Sequence, residues 1–180
     1  MKTVKRDPSE KIWQNFWNET QEEFFKIEVL QDYTGEDDGP SLQAWLNGKK
    51  KKSLYIMKEE VHKDEFFEWA NSKKEIDKIR LRIVEKPYTP YTVWEIELYK
   101  NFNIPYAGEK VFLLDKKSID SIWLPEGDTL IFDQKRVISN HYNKNGFCIG
   151  ADIYDETDDI SKFLELKEML LKMPLEKVVS

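Results

Sequence analysis

Ile12, Trp13, Phe16 and Trp17 recur at spacings of one, three and four residues, which places them on one face of a helix. That pattern predicts a helix over about residues 8–18. Its start is marked by Asp7-Pro8-Ser9-Glu10, an acceptor at the cap, proline at the first helical position and glutamate three residues after the cap. Phe25, Ile27 and Val29 then alternate, with Phe24 and Leu30 on the opposite face, so residues 23–33 read as a strand. A glycine-rich acidic loop follows at 34–40, then a short helix stopped by Gly48. Phe66, Phe67, Trp69, Ala70 and Ile76 predict a second amphipathic helix over 64–77. From residue 78 the period returns to two. Ile79, Leu81 and Ile83 alternate with Arg80 and Arg82, giving a strand that carries two guanidinium groups on one face and ends at Pro87. Thr89-Pro90 caps a helix with Val93, Trp94, Ile96, Leu98 and Tyr99, which ends near Asn103. Residues 111–114, 129–132, 136–142 and 147–154 read as strands, the last two joined by a tight turn at Asn145-Gly146. Residues 158–173 form a closing helix with a leucine-rich stripe.

These elements predict a single α/β (α+β) domain over residues 1–180, with a mixed, mainly antiparallel sheet flanked by helices. Its first part, about 8–77, is helix-rich with one strand, and its second, about 78–180, is α/β. A chain of 180 residues with 13% aromatics has enough large apolar material for one core. The net charge of −6 argues against direct binding to a nucleic-acid backbone. Lys49 to Lys52 form a dense basic run with no aromatic interleaved, which reads as a solvated loop. One cysteine, Cys148, cannot form an internal disulfide or build a zinc cluster. No apolar run reaches membrane-span length and the N-terminus lacks a signal-peptide core, so a cytoplasmic protein without metal or cofactor is expected. No phosphate-binding loop, dinucleotide fingerprint or nucleophile elbow occurs.

Candidate chemistry centres on polar residues at element ends. Arg80 and Arg82 could hold a phosphate or carboxylate in paired hydrogen bonds, or could pair with Glu85, Glu95 or Glu109, the reading favoured by the abundance of acids. Glu85, Glu95, Glu109 and Asp133 could converge for acid/base work or for a hard cation, or could cap elements and face water. Tyr88, Tyr91, Trp94 and Tyr99 could line a pocket for a planar ligand, although such spacing more often marks a core. Cys148 reads as an inert thiol and His141 as part of a sheet hydrogen-bond network.

The order Arg80-x-Arg82, Glu85-x-Pro87, Tyr91, Glu95, Gly108-Glu109, Phe132-Asp133, Gly146 and Gly150 resembles the bacterial family named domain of unknown function 6879, common in actinomycetes. The resemblance runs from about Phe16 onward and is most specific between residues 78 and 155; the lysine run and the acidic loop depart from it. It implies a gene beside a helix-turn-helix regulator, and so a regulatory or partner-binding role. The second half is more weakly similar to half of a phospholipase D-like fold. That likeness carries fold only, because His62-Lys63-Asp64 is contiguous and His141 lacks the matching lysine and aspartate spacing. The first functional expectation is a non-enzymatic regulatory or interaction module with a protein partner, a helix-turn-helix transcription regulator being the one implied. An exposed apolar patch from Trp13, Trp17, Trp45 or Trp69 would mark it. The alternative is a sensor of a small anion, or a divergent enzyme, built on Arg80, Arg82, Glu85, Tyr91, Glu95, Glu109 and Asp133. In that case Arg82→Ala would abolish ligand binding and leave the fold intact.

Overall fold

The computed structural model describes the backbone of residues 1–33, 35 and 39–180, and the side chains of these apart from residues 7–10. Eight strands form one sheet: β1 (Lys2–Lys5), β2 (Glu23–Glu28), β3 (Asp77–Val84), β4 (Lys110–Asp115), β5 (Thr129–Phe132), β6 (Arg136–Tyr142), β7 (Cys148–Tyr154) and β8 (Glu176–Lys177). Their order is β1-β7-β6-β5-β2-β3-β4-β8. β3 runs parallel to both β2 and β4, and the remaining pairings are antiparallel. The domain is therefore a single α/β unit with the mixed, mainly antiparallel sheet that the hydrophobic pattern indicates.

Two parallel neighbours require two crossovers, because a strand cannot turn tightly into a parallel partner. The first crossover carries α2 (Pro40–Leu46), α3 (Lys50–Val61) and α4 (Glu65–Ser72), and the second carries α5 (Pro90–Leu98). α1 (Arg6–Glu19) links β1 to β2, and α6 (Ser161–Leu171) follows β7. The alternation of each strand sorts side chains to two faces. Phe25, Ile27, Leu81, Ile83, Ile131 and Val137 pack against Phe163, Leu166 and Leu170 of α6. On the other face Phe24, Leu130, Phe132 and Ile138 meet Phe67 and Trp69 of α4 and Trp13, Phe16 and Trp17 of α1. Ile96 and Tyr99 cover Val84, Val111 and Leu113 on that same face. Both faces are thus covered over the middle of the sheet, where Glu28, Arg80 and Arg82 are buried.

Several boundaries differ from expectation. The first helix begins at Arg6 directly out of β1, with Lys5 at the cap position and no side-chain cap bond, so Asp7 is not its cap; the side chains of Asp7-Pro8-Ser9-Glu10 lie outside the described residues, as does most of the acidic loop at 34–39. β2 stops at Glu28. The lysine run is helical, opening α3 in place of the expected loop, because Leu54, Met57 and Val61 lie at spacings of three and four and face Leu42, Trp45 and the sheet-side helices. α4 is capped by Asp64, whose carboxylate accepts from the Phe67 amide, and ends at Ser72 so that Ile76 can lead into β3. At the β6–β7 turn Gly146 takes φ +74, while the consecutive left-handed pair is Asp133 and Gln134, at φ 50 and 55 between β5 and β6. Among the described residues no helix is long and apolar enough to cross a membrane.

Candidate functional site

On β2, Lys26 and Glu28 share the face of Phe24, and on β3, Arg80 and Arg82 stand directly beside them in the parallel register Lys26 to Arg80 and Glu28 to Arg82. α5 crosses over this patch and continues as one wider turn of helix from Tyr99 to Asn103, closed by a bond from the Ile104 amide to the Tyr99 carbonyl at 3.0 Å. Turns of this i to i+5 kind commonly sit at functional sites. Here the turn brings Glu95, Tyr99 and Asn103 over the charged strands. Gly108 at φ +71 then reverses the chain, and the Glu109 amide returns to the Asn103 carbonyl at 3.0 Å, which sets the Glu109 carboxylate at the head of β4.

The side chains form one connected network. Arg80 donates from Nε and Nη2 to the two oxygens of Glu109, both at 2.9 Å, and from Nη1 to Glu28. Glu109 also accepts from Asn103 Nδ2 at 2.7 Å. Glu28 accepts from Tyr99 Oη at 2.6 Å and pairs with Lys26 at 2.7 Å. Arg82 Nε donates to Glu95 at 2.6 Å. Asp128, just ahead of β5, accepts from Tyr33 Oη and from Tyr142 Oη at 3.1 Å. Paired, hydrogen-bonded charges of this kind are the form in which a folded interior tolerates ions.

Burial and neighbours push these groups in different directions. Burial raises the Glu28 carboxyl, but the opposing pull of Arg80, Lys26 and Arg82 holds it well below the usual range. Glu95 has burial working with the nearby Glu28 charge against a single guanidinium, that of Arg82, and is raised to about 7. Asp128 is also raised, by burial that Lys26 only partly offsets. Tyr33, Tyr99 and Tyr142 lie well above the ordinary phenol value, first through burial and then through adjacent carboxylates. They therefore act as neutral donors.

Above the network lies a cavity of about 340 Å³, within the range of small-molecule sites. Lys26, Glu28, Arg80, Glu95 and Asp128 form its polar side, while Trp13, Trp17, Phe24, Phe66, Tyr91 and Trp94 form aromatic walls. Of the residues singled out from sequence, Arg80, Glu95, Tyr91, Trp94, Tyr99, Cys148, Trp13 and Trp17 line this cavity. Arg82 and Glu109 stand behind them, holding Glu95 and Arg80 in place. Arg82 is fully buried, so Arg82→Ala would empty its volume and leave the Glu95 carboxyl without its donor, changing stability together with any binding. Two candidates lie elsewhere. Glu85 is at the surface and pairs with Lys116 at 2.5 Å, because it falls just beyond β3 and outside the covered face. Asp133 sits in the β5–β6 turn and accepts from the amides of Gln21, Glu22 and Glu23 at 3.0, 2.8 and 2.9 Å, a clamp on the start of β2.

Lys26, Glu28, Asn103, Asp128, Asn140 and Tyr142 were not singled out from sequence. The signal for the first two was available: a strand whose neighbours carry helices on both faces has no solvent face, so its alternating charges must be buried. The other four come from the helical turn after α5 (Asn103), the approach to β5 (Asp128) and β6 (Asn140 and Tyr142), which only the tertiary fold unites. Among the described residues no group of three or more His, Cys, Asp or Glu side chains is placed to hold a metal ion. A family model described as Domain of unknown function (DUF6879) matches residues 11–175. No curated protein and no solved structure matches the chain.

Proposed function

Since the chain belongs to the DUF6879 family, whose description assigns no activity, we propose from its geometry that it is a small-molecule-binding module acting in regulation rather than catalysis. One observation carries the reading. A cavity large enough for a small organic molecule lies directly over a buried charge network and is walled by aromatic rings. A protein that only needed a stable core would be served as well by apolar residues there, because replacing buried ion pairs by packed hydrophobics is often neutral or stabilising.

Binding rather than turnover is supported by the engagement of the acids, since Glu28 and Glu95 each commit a carboxyl oxygen to a guanidinium, that of Arg80 and of Arg82. His62 lies beside Tyr106 and His141 against Asp152, and neither is among the cavity residues. The phospholipase D-like likeness of the second half therefore contributes no chemistry to the reading. The tryptophans expected to mark an interaction surface are placed otherwise: Trp45 and Trp69 are buried in the core and Trp13 and Trp17 line the cavity. A regulatory protein partner, with a helix-turn-helix regulator implied by the family resemblance and a cytoplasmic setting, enters as the output of the same proposal.

The test is a melting-temperature screen of a broad panel of small metabolites, run in parallel on Leu98→Trp. Leu98 lies at the cavity wall, off the sheet, and is partly buried, so the larger ring fills the space. At least one compound should raise the wild-type midpoint by several degrees and leave the variant, whose own circular dichroism is unchanged, unmoved. A panel with no stabilising compound, or one that stabilises both proteins equally, rejects the reading.

A further inference from the structure

Among the described cavity-lining residues the buried polar atoms left without a partner are two acceptors, Asn103 Oδ1 and Asn140 Oδ1, and two donors, the indole Nε1 of Trp13 and of Trp17. The wall's hydroxyl and cationic donors are already engaged: Tyr33 and Tyr142 on Asp128, Tyr99 on Glu28, Lys26 on Glu28, and Arg80 on Glu28 and Glu109. The amide oxygens of Asn103 and Asn140 are not. Both residues line the cavity, they are 3% and 2% exposed, and neither Oδ1 receives a hydrogen bond from any described group. The orientation of Asn103 is set by chemistry, because its other terminal atom donates to the Glu109 carboxylate and only the nitrogen can do that. Leaving a buried acceptor unmet is costly, and native proteins rarely do so without a reason.

The charge count points the same way. Lys26, Lys78, Arg80 and Arg82 stand among Glu28, Glu95, Glu109 and Asp128, and Asp64 also lines the cavity, four cations against five carboxylates, which leaves one negative charge when all are ionised. The aromatic walls favour a flat ligand and tolerate a cation over their faces. Trp13 and Trp17 add the wall's unengaged donors, since neither indole Nε1 has a partner among the described residues. An anion would meet an Arg80 guanidinium already shared between Glu28 and Glu109, with the Glu28, Glu95 and Asp128 carboxyls beside it.

Resting on the reading of the cavity as a ligand site, the geometry points to a planar, nitrogen-rich ring that presents N–H donors and is neutral or carries one positive charge. Its N–H edge meets Asn103, Asn140 and the carboxylates on the sheet side. A ring nitrogen or carbonyl turns toward the indoles of Trp13 and Trp17. An amidine or an amino-substituted nitrogen heterocycle has this form.

Three isosteric probes separate the possibilities: benzamidine, benzamide and benzoate, each titrated by ligand-observed NMR and calorimetry into the full chain. Benzamidine should bind at least about tenfold more tightly than benzoate, with benzamide between them. Asn140→Leu, which removes the acceptor at similar volume, should weaken benzamidine by about tenfold, and Asn140→Asp should strengthen it. Benzamidine affinity should also rise between pH 6 and 8, as Glu95 ionises among Arg82 of β3, Glu28 of β2 and Tyr99, and this rise should vanish in Glu95→Gln. Benzoate binding as tightly as benzamidine, or benzamidine affinity unchanged in both Asn140 variants, overturns the ligand class. So does a metabolite panel whose cavity ligands are all anions, an outcome that leaves the cavity a ligand site. A panel with no cavity ligand at all overturns instead the reading on which this inference rests.

Discussion

Glu95 is the residue whose environment gives the most direct pH signature. Its carboxyl is raised from 4.5 to about 7, by burial first and by the Glu28 charge after it, against the pull of Arg82. In the unfolded chain the proton leaves near the ordinary carboxylate value, so between about pH 4.5 and 7 the folded state holds a proton that the unfolded state has released. A raised carboxyl pKa contributes stability that is complete below the unfolded value and is lost as pH rises through the folded one. Urea titrations of the wild type and Glu95→Gln should therefore diverge over that window, the wild type losing up to about 3 kcal/mol relative to the variant. Parallel pH profiles would mean that Glu95 stays ionised in its pair with Arg82. That Glu95 meets Arg82 was among the pairings weighed from sequence; that the pair has no water around it was not, because exposure is a property of what α5 lies against.

At the scale of elements, Asp133 has moved from candidate ligand to structural clamp. Three amides at the start of β2 converge on its carboxylate, and although burial alone would raise it, those N–H groups and Arg136 hold it below the usual range. Its backbone is left-handed, φ 50, a conformation that costs most L-residues about 1–2 kcal/mol but that Asp and Asn accept more readily. Asp133→Ala loses both the acceptor and that tolerance and should cost about 2 kcal/mol in urea unfolding, whereas Asp133→Asn keeps the tolerance and should cost about half as much. Equal losses in the two variants would refute the backbone part of the account. β2, β3, α4 and α5 were legible because each has a clear hydrophobic period of its own. α3 was hidden behind four lysines that drew the reading to charge, though Leu54, Met57 and Val61 carry the stripe. β1 and β8, of four and two residues, have no period to read and exist only because β7 and β4 offer them an edge.

For the whole molecule, the sheet binds the two halves of the chain together. β2, from the helix-rich first part, lies between β5 and β3 of the second, so neither part retains a complete sheet without the other. Unfolding should be one cooperative transition, with tryptophan fluorescence and far-ultraviolet circular dichroism tracing the same urea midpoint. Separate midpoints would show that the two parts fold independently.

Alternation and helical spacing in the sequence by themselves determined the α/β class, the mainly antiparallel sheet, and the placement of Arg80 and Arg82 on one strand face. These are local consequences of side-chain period and turn chemistry, legible without knowing any neighbour. The order of the strands, the covering of both sheet faces, and the meeting of Lys26, Glu28, Asn103, Asp128 and Asn140 with Arg80 and Glu95 were decided only in three dimensions. A carboxylate or amide has the same sequence signature on a wet surface as over a buried cavity. What separates the two is whether a helix from a distant part of the chain removes the water, and α1, α4 and α5 do so here.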